Sequence, residues 1–366
     1  MSDFDFNDDF NIEEDEPYSP CFIDWNEARE KGIPPGYFDA DELCDIIDTF
    51  LSIEQIKESR EVIEYALKLH PDNENLIYDI MQMLNDYELW DDLLYLSNKY
   101  KHLSLAWVDG HNVTALLHLG MEENAFSCFR EAKKKYATNE KNLILIYQAM
   151  SETLYDVDLY EAAINVIDEI WSKIEKDNEE LLWIQLQSYL SIKDTQKVEE
   201  KCDKIQKLNP MDANTWSRLG VVYKEIGDKE KSIDAFEFAA SLGKKEPIDI
   251  LNLIYSYKEN GNFQKALEKA DEYLEKSPDD YVINTLATSL CIDMEAWDIA
   301  IRYADKALNV DPLSDFLYLY KSRCHAQLGE IRKAIKTLET GIRKNGDVTG
   351  ELFLEMEQLK NKYPEY

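Results

Sequence analysis

Among the side chains of this chain, His111 and His118 have the spacing that most invites a chemical reading. Seven residues is two helical turns, so one helix could present both imidazoles on one side. Two imidazoles on one face are half of a zinc site. The other half is missing, because no cysteine stands nearby and the His-Glu-x-x-His pattern does not occur. The remaining histidines, His70, His102 and His325, are scattered. The expectation is ordinary groove or surface histidines, with no metal and no cofactor.

Nucleophilic and phosphate chemistry fare no better. The chain has no Gly-x-Ser-x-Gly elbow and no glycine-rich phosphate loop. Carboxylate pairs are everywhere in a chain with 74 Asp and Glu among 366 residues, so a pair carries no information about hydrolysis. Cysteines 21, 44, 128, 202, 291 and 324 form no Cys-x-x-Cys and read as free thiols of a reducing cytoplasm, Cys202 at a packing position. Asn112-Val113-Thr114 matches a glycosylation sequon but lies in a predicted helix of a chain without a secretion-type leader. No residue is assigned a catalytic role, and the expectation is a protein that is not an enzyme.

What the chain does carry is a period. Lys258-Glu259-Asn260-Gly261 follows Lys224-Glu225-Ile226-Gly227 by 34 residues, and Pro210, Pro278 and Pro312 lie on the same grid. A fixed period of this length means one supersecondary unit stacked on copies of itself. The best copy, Ala213 to Glu246, holds Trp216, Leu219, Gly220, Tyr223, Gly227, Ser232, Phe236 and Ala239. Trp216, Leu219 and Tyr223 share one helical face by their i, i+3, i+7 spacing. Gly220 and Ala239 are small enough for two helices to approach closely, and Gly227 suits the turn between them. Copies in register start at 179, 247, 281 and 315. Upstream the pattern loosens, with starts at 40, 74, 106 and 144.

The set Trp216, Leu219, Gly220, Tyr223 followed by Phe236 and Ala239 resembles the tetratricopeptide repeat. Ser232 departs from its usual Ala, and Lys244 stands where Pro is usual. The resemblance implies an all-α, right-handed superhelical solenoid of about nine helix pairs. The expected organisation is an acidic arm over 1–20, an N-terminal cap and linker over 21–39, four degenerate repeats over 40–178, five regular repeats over 179–348 and a capping helix over 349–366. In the arm, Phe4, Phe6, Phe10 and Ile12 alternate with eight acids, which suits a disordered segment. In the cap, Asp24 is expected to start a short helix that ends at Gly32, with Phe22, Ile23 and Trp25 covering the first repeat. In the last helix Leu352, Leu354, Met356 and Leu359 supply the apolar side.

The resemblance also implies a concave groove lined by the first helix of each pair, at offsets 2, 5, 6, 9 and 12 of the repeat. Over the regular repeats these offsets select Trp183, Gln187, Asn214, Arg218, Leu251, Asn252, Tyr255, Leu286, Phe316, Tyr320 and Arg323 as the peptide-binding set. Aromatic and Arg side chains are the types enriched at binding hot spots. The Lys and Asn clamp with which some members of the family grip a C-terminal carboxylate is not reproduced. From repeat six, for instance, its five places hold Ser217, Val221, Asn252, Val282 and Leu286.

Net charge is −34, and residues 1–105 carry 27 acids against 7 bases. Such a field repels nucleic acid and anionic lipid and favours a basic protein partner. No stretch is long and apolar enough to span a membrane. The function expected is a cytoplasmic protein-interaction scaffold that holds a peptide or protein segment. The alternative is a regulatory subunit whose acidic arm lies in its own groove, against Arg218, Lys224, Lys258 and Arg323.

Overall fold

The computed structural model describes residues 18–243, 247–345 and 350–364. All the regular structure in them is helical. The helices fall into two compact units, and the chain passes from the first to the second between Asp194 and Thr195. The first contains α1 (Pro20–Glu30), α2 (Ala40–Ser52), α3 (Ile56–Leu69), α4 (Glu74–Asp86), α5 (Trp90–Tyr100), α6 (Ala106–His118), α7 (Glu122–Lys135), α8 (Glu140–Asp156), α9 (Tyr160–Ile170) and α10 (Glu179–Ser191). The second contains α11 (Thr195–Leu208), α12 (Ala213–Glu225), α13 (Lys229–Ser241), α14 (Pro247–Glu259), α15 (Phe263–Leu274), α16 (Tyr281–Asp293), α17 (Trp297–Val310), α18 (Asp315–Gln327), α19 (Ile331–Asn345) and α20 (Glu351–Lys362). From α2 to α19 the even-numbered helices open each repeat (A helices) and the odd-numbered ones close it (B helices).

Most A helices start from a side-chain cap. Asp39, Asn73, Asn139, Asn178, Asp212 and Asp280 each accept the backbone N–H three residues on, at 2.7–3.2 Å. Each such bond satisfies a donor that the first turn of a helix leaves open. Between A and B helices the chain turns through one left-handed residue. Among the described residues these are Glu54, Glu88, Gly120, Asp158, Lys193, Gly227, Gly261, Glu295 and Gly329. In every case the next residue's N–H returns to a carbonyl five positions earlier, at 2.8–2.9 Å, the bond that closes a Schellman turn. The spacings of these turns are 34, 32, 38 and 35 residues, then 34 four times. The upstream drift legible in the sequence is therefore drift in turn position. The helix expected from Ile144 starts earlier, at Glu140, where Asn139 caps it.

Behind each turn the B helix carries a buried residue, and most of these are small: Ser59, Ala125, Ala163, Ser232, Ala266, Ala300 and Ala334. Ser232 holds the usual alanine place because its hydroxyl has a partner, the Gly220 carbonyl oxygen at 2.9 Å. Cys202 is fully buried, as its packing position implied.

Both ends differ in detail from expectation. α1 begins at Pro20, with Ser19 as its cap, rather than at Asp24. The Ser19 hydroxyl accepts from the Phe22 N–H at 3.4 Å, and proline suits a first turn because its missing N–H needs no partner there. Phe22 and Trp25 are buried against Phe50, Phe38 and Tyr65, while Ile23, one step round the helix, is 46% exposed. In α20 the buried stripe is Leu352, Met356 and Leu359, at i, i+4, i+7, whereas Leu354 is 58% exposed. The arm over residues 1–17 and Lys244 lie outside the described residues.

Candidate functional site

The residues selected by the groove offsets meet different fates. Trp183 and Gln187 belong to α10 of the first unit, and the other nine to the second. Trp183 is buried, and its indole N–H donates to the Glu179 carboxylate at 3.1 Å. Leu286 is likewise buried, in the core shared with Leu253, Leu290 and Cys291. Neither offers surface, because each packs between helices. Gln187 is half-buried, Asn214 and Arg218 are exposed on α12, and Leu251, Asn252 and Tyr255 are half-buried on α14. On α18, Phe316 and Tyr320 stand edge to face with ring centroids 5.9 Å apart. Burial pushes the Tyr255 hydroxyl above its ordinary pKa, so it remains a neutral phenol.

Three cations of the second unit, Lys224, Lys258 and Arg323, are held by the protein's own carboxylates. Lys224 lies 3.4 Å from Glu259 and 5.7 Å from the centre of the Tyr255 ring. One repeat on, Lys258 lies 3.2 Å from Asp293 and donates to the Ser289 hydroxyl at 2.6 Å. Arg323 donates to Glu355 of α20 at 2.9 Å.

The first unit holds a concavity that the sequence reading passed over. A pocket of about 220 Å³ opens among three successive A helices. α4 contributes Tyr78, Gln82 and Asn85; α6 contributes Trp107, Gly110, His111 and Thr114; α8 contributes Leu145, Gln148, Ala149 and Glu152. Counted from 74, 106 and 144, all of them fall at offsets 2, 5, 6, 9 or 12. The offsets applied only to the regular repeats would have found this pocket had they been carried upstream, where the signature residues fade.

Its wall is aromatic. Tyr78 meets Trp107 edge to face at 5.3 Å, and His111 lies 6.3 and 6.4 Å from the two rings. Gly110 lets α6 approach α8, since a Cβ there would sit 3.3 Å from Ala149. Burial lowers the His111 pKa to about 4, against a partial pull from Asp86, so the ring is neutral at pH 7. Burial also raises the Glu152 carboxyl, whose Oε1 accepts from Gln148 at 3.0 Å. His118, on the same helix as His111, instead stacks flat on Trp90 at 3.9 Å. Among the described residues no three His, Cys, Asp or Glu gather in a metal-holding group. Asn112 of the sequon is buried and donates to the Ser97 hydroxyl at 2.9 Å.

Charge divides between the two helix sets. In the first unit the A helices carry thirteen carboxylates and one lysine, Lys141. Its B helices carry eleven carboxylates against eight Lys or Arg. In the second unit the A helices are balanced, with five of each. No described helix is long and apolar enough to cross a membrane.

No protein-family model matches the chain, and no curated protein does. Solved structures do. The C-terminal part of a TPR repeat-containing protein from Cytophaga hutchinsonii superposes at TM-score 0.52 with 14% identity, covering 66% of this chain and 96% of that one. A crystal structure of MamA gives 0.40 at 16% identity over 50% of this chain and 94% of that one. YrrB, described as a TPR protein with an unusual peptide-binding site, gives 0.38 at 15% identity over 63% and 97%. Taken with the 34-residue signature and the recurring left-handed turns, the first of these likenesses identifies the fold as that of the tetratricopeptide-repeat proteins.

Proposed function

We propose that this protein is a non-enzymatic interaction scaffold that holds a segment of a partner protein along the faces of its A helices. The observation that carries the reading is the pocket in the first unit, built wholly from groove offsets and lined by Tyr78 and Trp107. A purely solvated face would not bring aromatic rings to the places that packing between helices leaves open. In the second unit Tyr255, Phe316 and Tyr320, flanked by Asn214, Arg218, Asn252 and Arg323, supply a second stretch of such surface.

The partner is a protein or peptide, with basic character favoured by the first unit's charge. The regulatory alternative has less support. Lys224, Lys258 and Arg323, three of the four groups that would receive the acidic arm, already face Glu259, Asp293 and Glu355.

Partner capture from the native host tests the scaffold reading. Tyr255→Ala with Tyr320→Ala should deplete proteins that wild type retains, and Tyr78→Ala with Trp107→Ala should do the same for the first unit. Retention of every partner by both double variants, with helicity and melting intact, would show that the A-helix faces are not the binding surface.

A further inference from the structure

We infer that the pocket between α4, α6 and α8 seats an arginine side chain of a basic partner peptide. This rests on the scaffold reading and names the chemistry that one of its surfaces recognises.

Three features of the pocket converge on a planar cation. The first is the pair of rings. Tyr78 and Trp107 stand edge to face at 5.3 Å, and Tyr78 remains 42% exposed. A guanidinium laid on an aromatic face is attracted by the ring quadrupole and loses little hydration, and Arg does this better than Lys. The second is the polar lining. Gln82, Asn85 and Gln148 line the pocket with side-chain amides, each of which carries a carbonyl acceptor, and Glu152 supplies the one carboxylate. Five guanidinium N–H donors can use several of these acceptors together, which an apolar side chain would leave unpaired. The third is the sign of the charge. None of the lining residues is Lys or Arg. The one titratable base, His111, is held neutral by burial and so does not repel a cation.

The surroundings extend the same preference. The thirteen-to-one excess of carboxylate on the first unit's A helices is absent from its B helices and from the A helices of the second unit. Charge of one sign gathered on the helix set that lines the concavity steers a basic segment towards it. Burial raises the Glu152 carboxyl above its ordinary pKa, and an arriving guanidinium would favour its ionised form.

The test uses the full chain and a labelled nine-residue peptide of alternating Arg and Ala, followed by fluorescence anisotropy at physiological salt. Counterparts in which Arg is replaced by Lys or by citrulline, its neutral isostere, separate shape from charge. The expected result is Arg tighter than Lys by at least threefold, and tighter than citrulline by at least tenfold. Tyr78→Ala and Trp107→Ala, which change no charge, should each weaken the Arg peptide at least fivefold. Glu152→Gln should weaken Arg and leave citrulline unchanged. Trp107 is half-buried, so Tyr78→Ala, at an exposed ring, keeps the test valid if the tryptophan variant fails to fold.

Equal affinity for Arg and citrulline, absence of binding by wild type, or indifference to Tyr78→Ala would each overturn the assignment. Arg and Lys binding equally, with no effect of the aromatic variants, would reduce the site to a diffuse acidic field. Failure here with native partners still lost from the double variants would remove only the arginine assignment. Retention of those partners would remove the scaffold reading itself.

Discussion

Gly220 of α12 lies against the ring of Phe236 in α13 so closely that a Cβ on the glycine would sit 2.7–2.8 Å from three ring atoms. The two residues are signature positions of the same repeat, and their contact explains why both types are needed. The ring fills the space that the missing side chain leaves. Gly220→Ala must push the ring or part the helices, because packed interiors do not absorb an added methyl group freely. The expected cost is about 1–3 kcal/mol in urea unfolding, despite alanine's better helix propensity. An unchanged midpoint would show that the ring swings aside.

The C-terminal helix gives a paired prediction. Leu352 of α20 is fully buried, whereas Leu354, two residues on, is exposed. Leu352→Ala should destabilise by about 2–5 kcal/mol, as for other buried leucines. Leu354→Ala should stay within about 0.5 kcal/mol of wild type, as surface changes do. Equal effects would mean that α20 does not cap through the stripe Leu352, Met356, Leu359.

His111 makes stability depend on pH with a definite sign. Its pKa falls from an ordinary 6.5 to about 4 on folding, because burial penalises the imidazolium. Between those values the unfolded chain binds a proton that the folded chain refuses. This group's contribution is therefore fully favourable above about pH 6.5, declines as pH falls through the window and levels off below about 4. Other groups titrate there too, so the quantity to measure is the difference between wild type and His111→Gln. Melting temperatures should converge as pH drops from 7 to 4, wild type losing more. Parallel curves would place His111 in a wetter setting.

Removal of the acidic arm discriminates the two functional readings. The deletion should stop at residue 17, since Ser19 caps α1 and the Tyr18 ring packs 4.8 Å from Phe22. With Lys224, Lys258 and Arg323 already facing internal carboxylates, partner affinity is expected to stay within twofold of wild type. A rise that grows as salt is lowered would mean that the arm competes for the groove.

The sequence by itself determined the helix pairs and their turns, because those rest on local physics. The spacings 34, 32, 38 and 35 are those of left-handed turns closed by hydrogen bonds within six residues. Alanine, serine and glycine mark the close approaches of neighbouring helices, and asparagine or aspartate marks most A-helix starts. Binding surface has no such local requirement. Trp183 and Leu286 occupy groove offsets, yet only their neighbours in space make them core. Lys224 and Glu259 are 35 residues apart, and no pattern within one repeat shows that they meet.

The pocket of Tyr78, Trp107 and His111 is the fullest case. Tyr78, Trp107 and His111 are not signature positions of the repeat, and the repeats that carry them are those whose signature is weakest. Three helices some thirty residues apart in the chain had to be stacked before their separate aromatic and polar side chains became one concavity. The period placed each residue on its helix; the packing of A helix on A helix decided which of them line an open pocket.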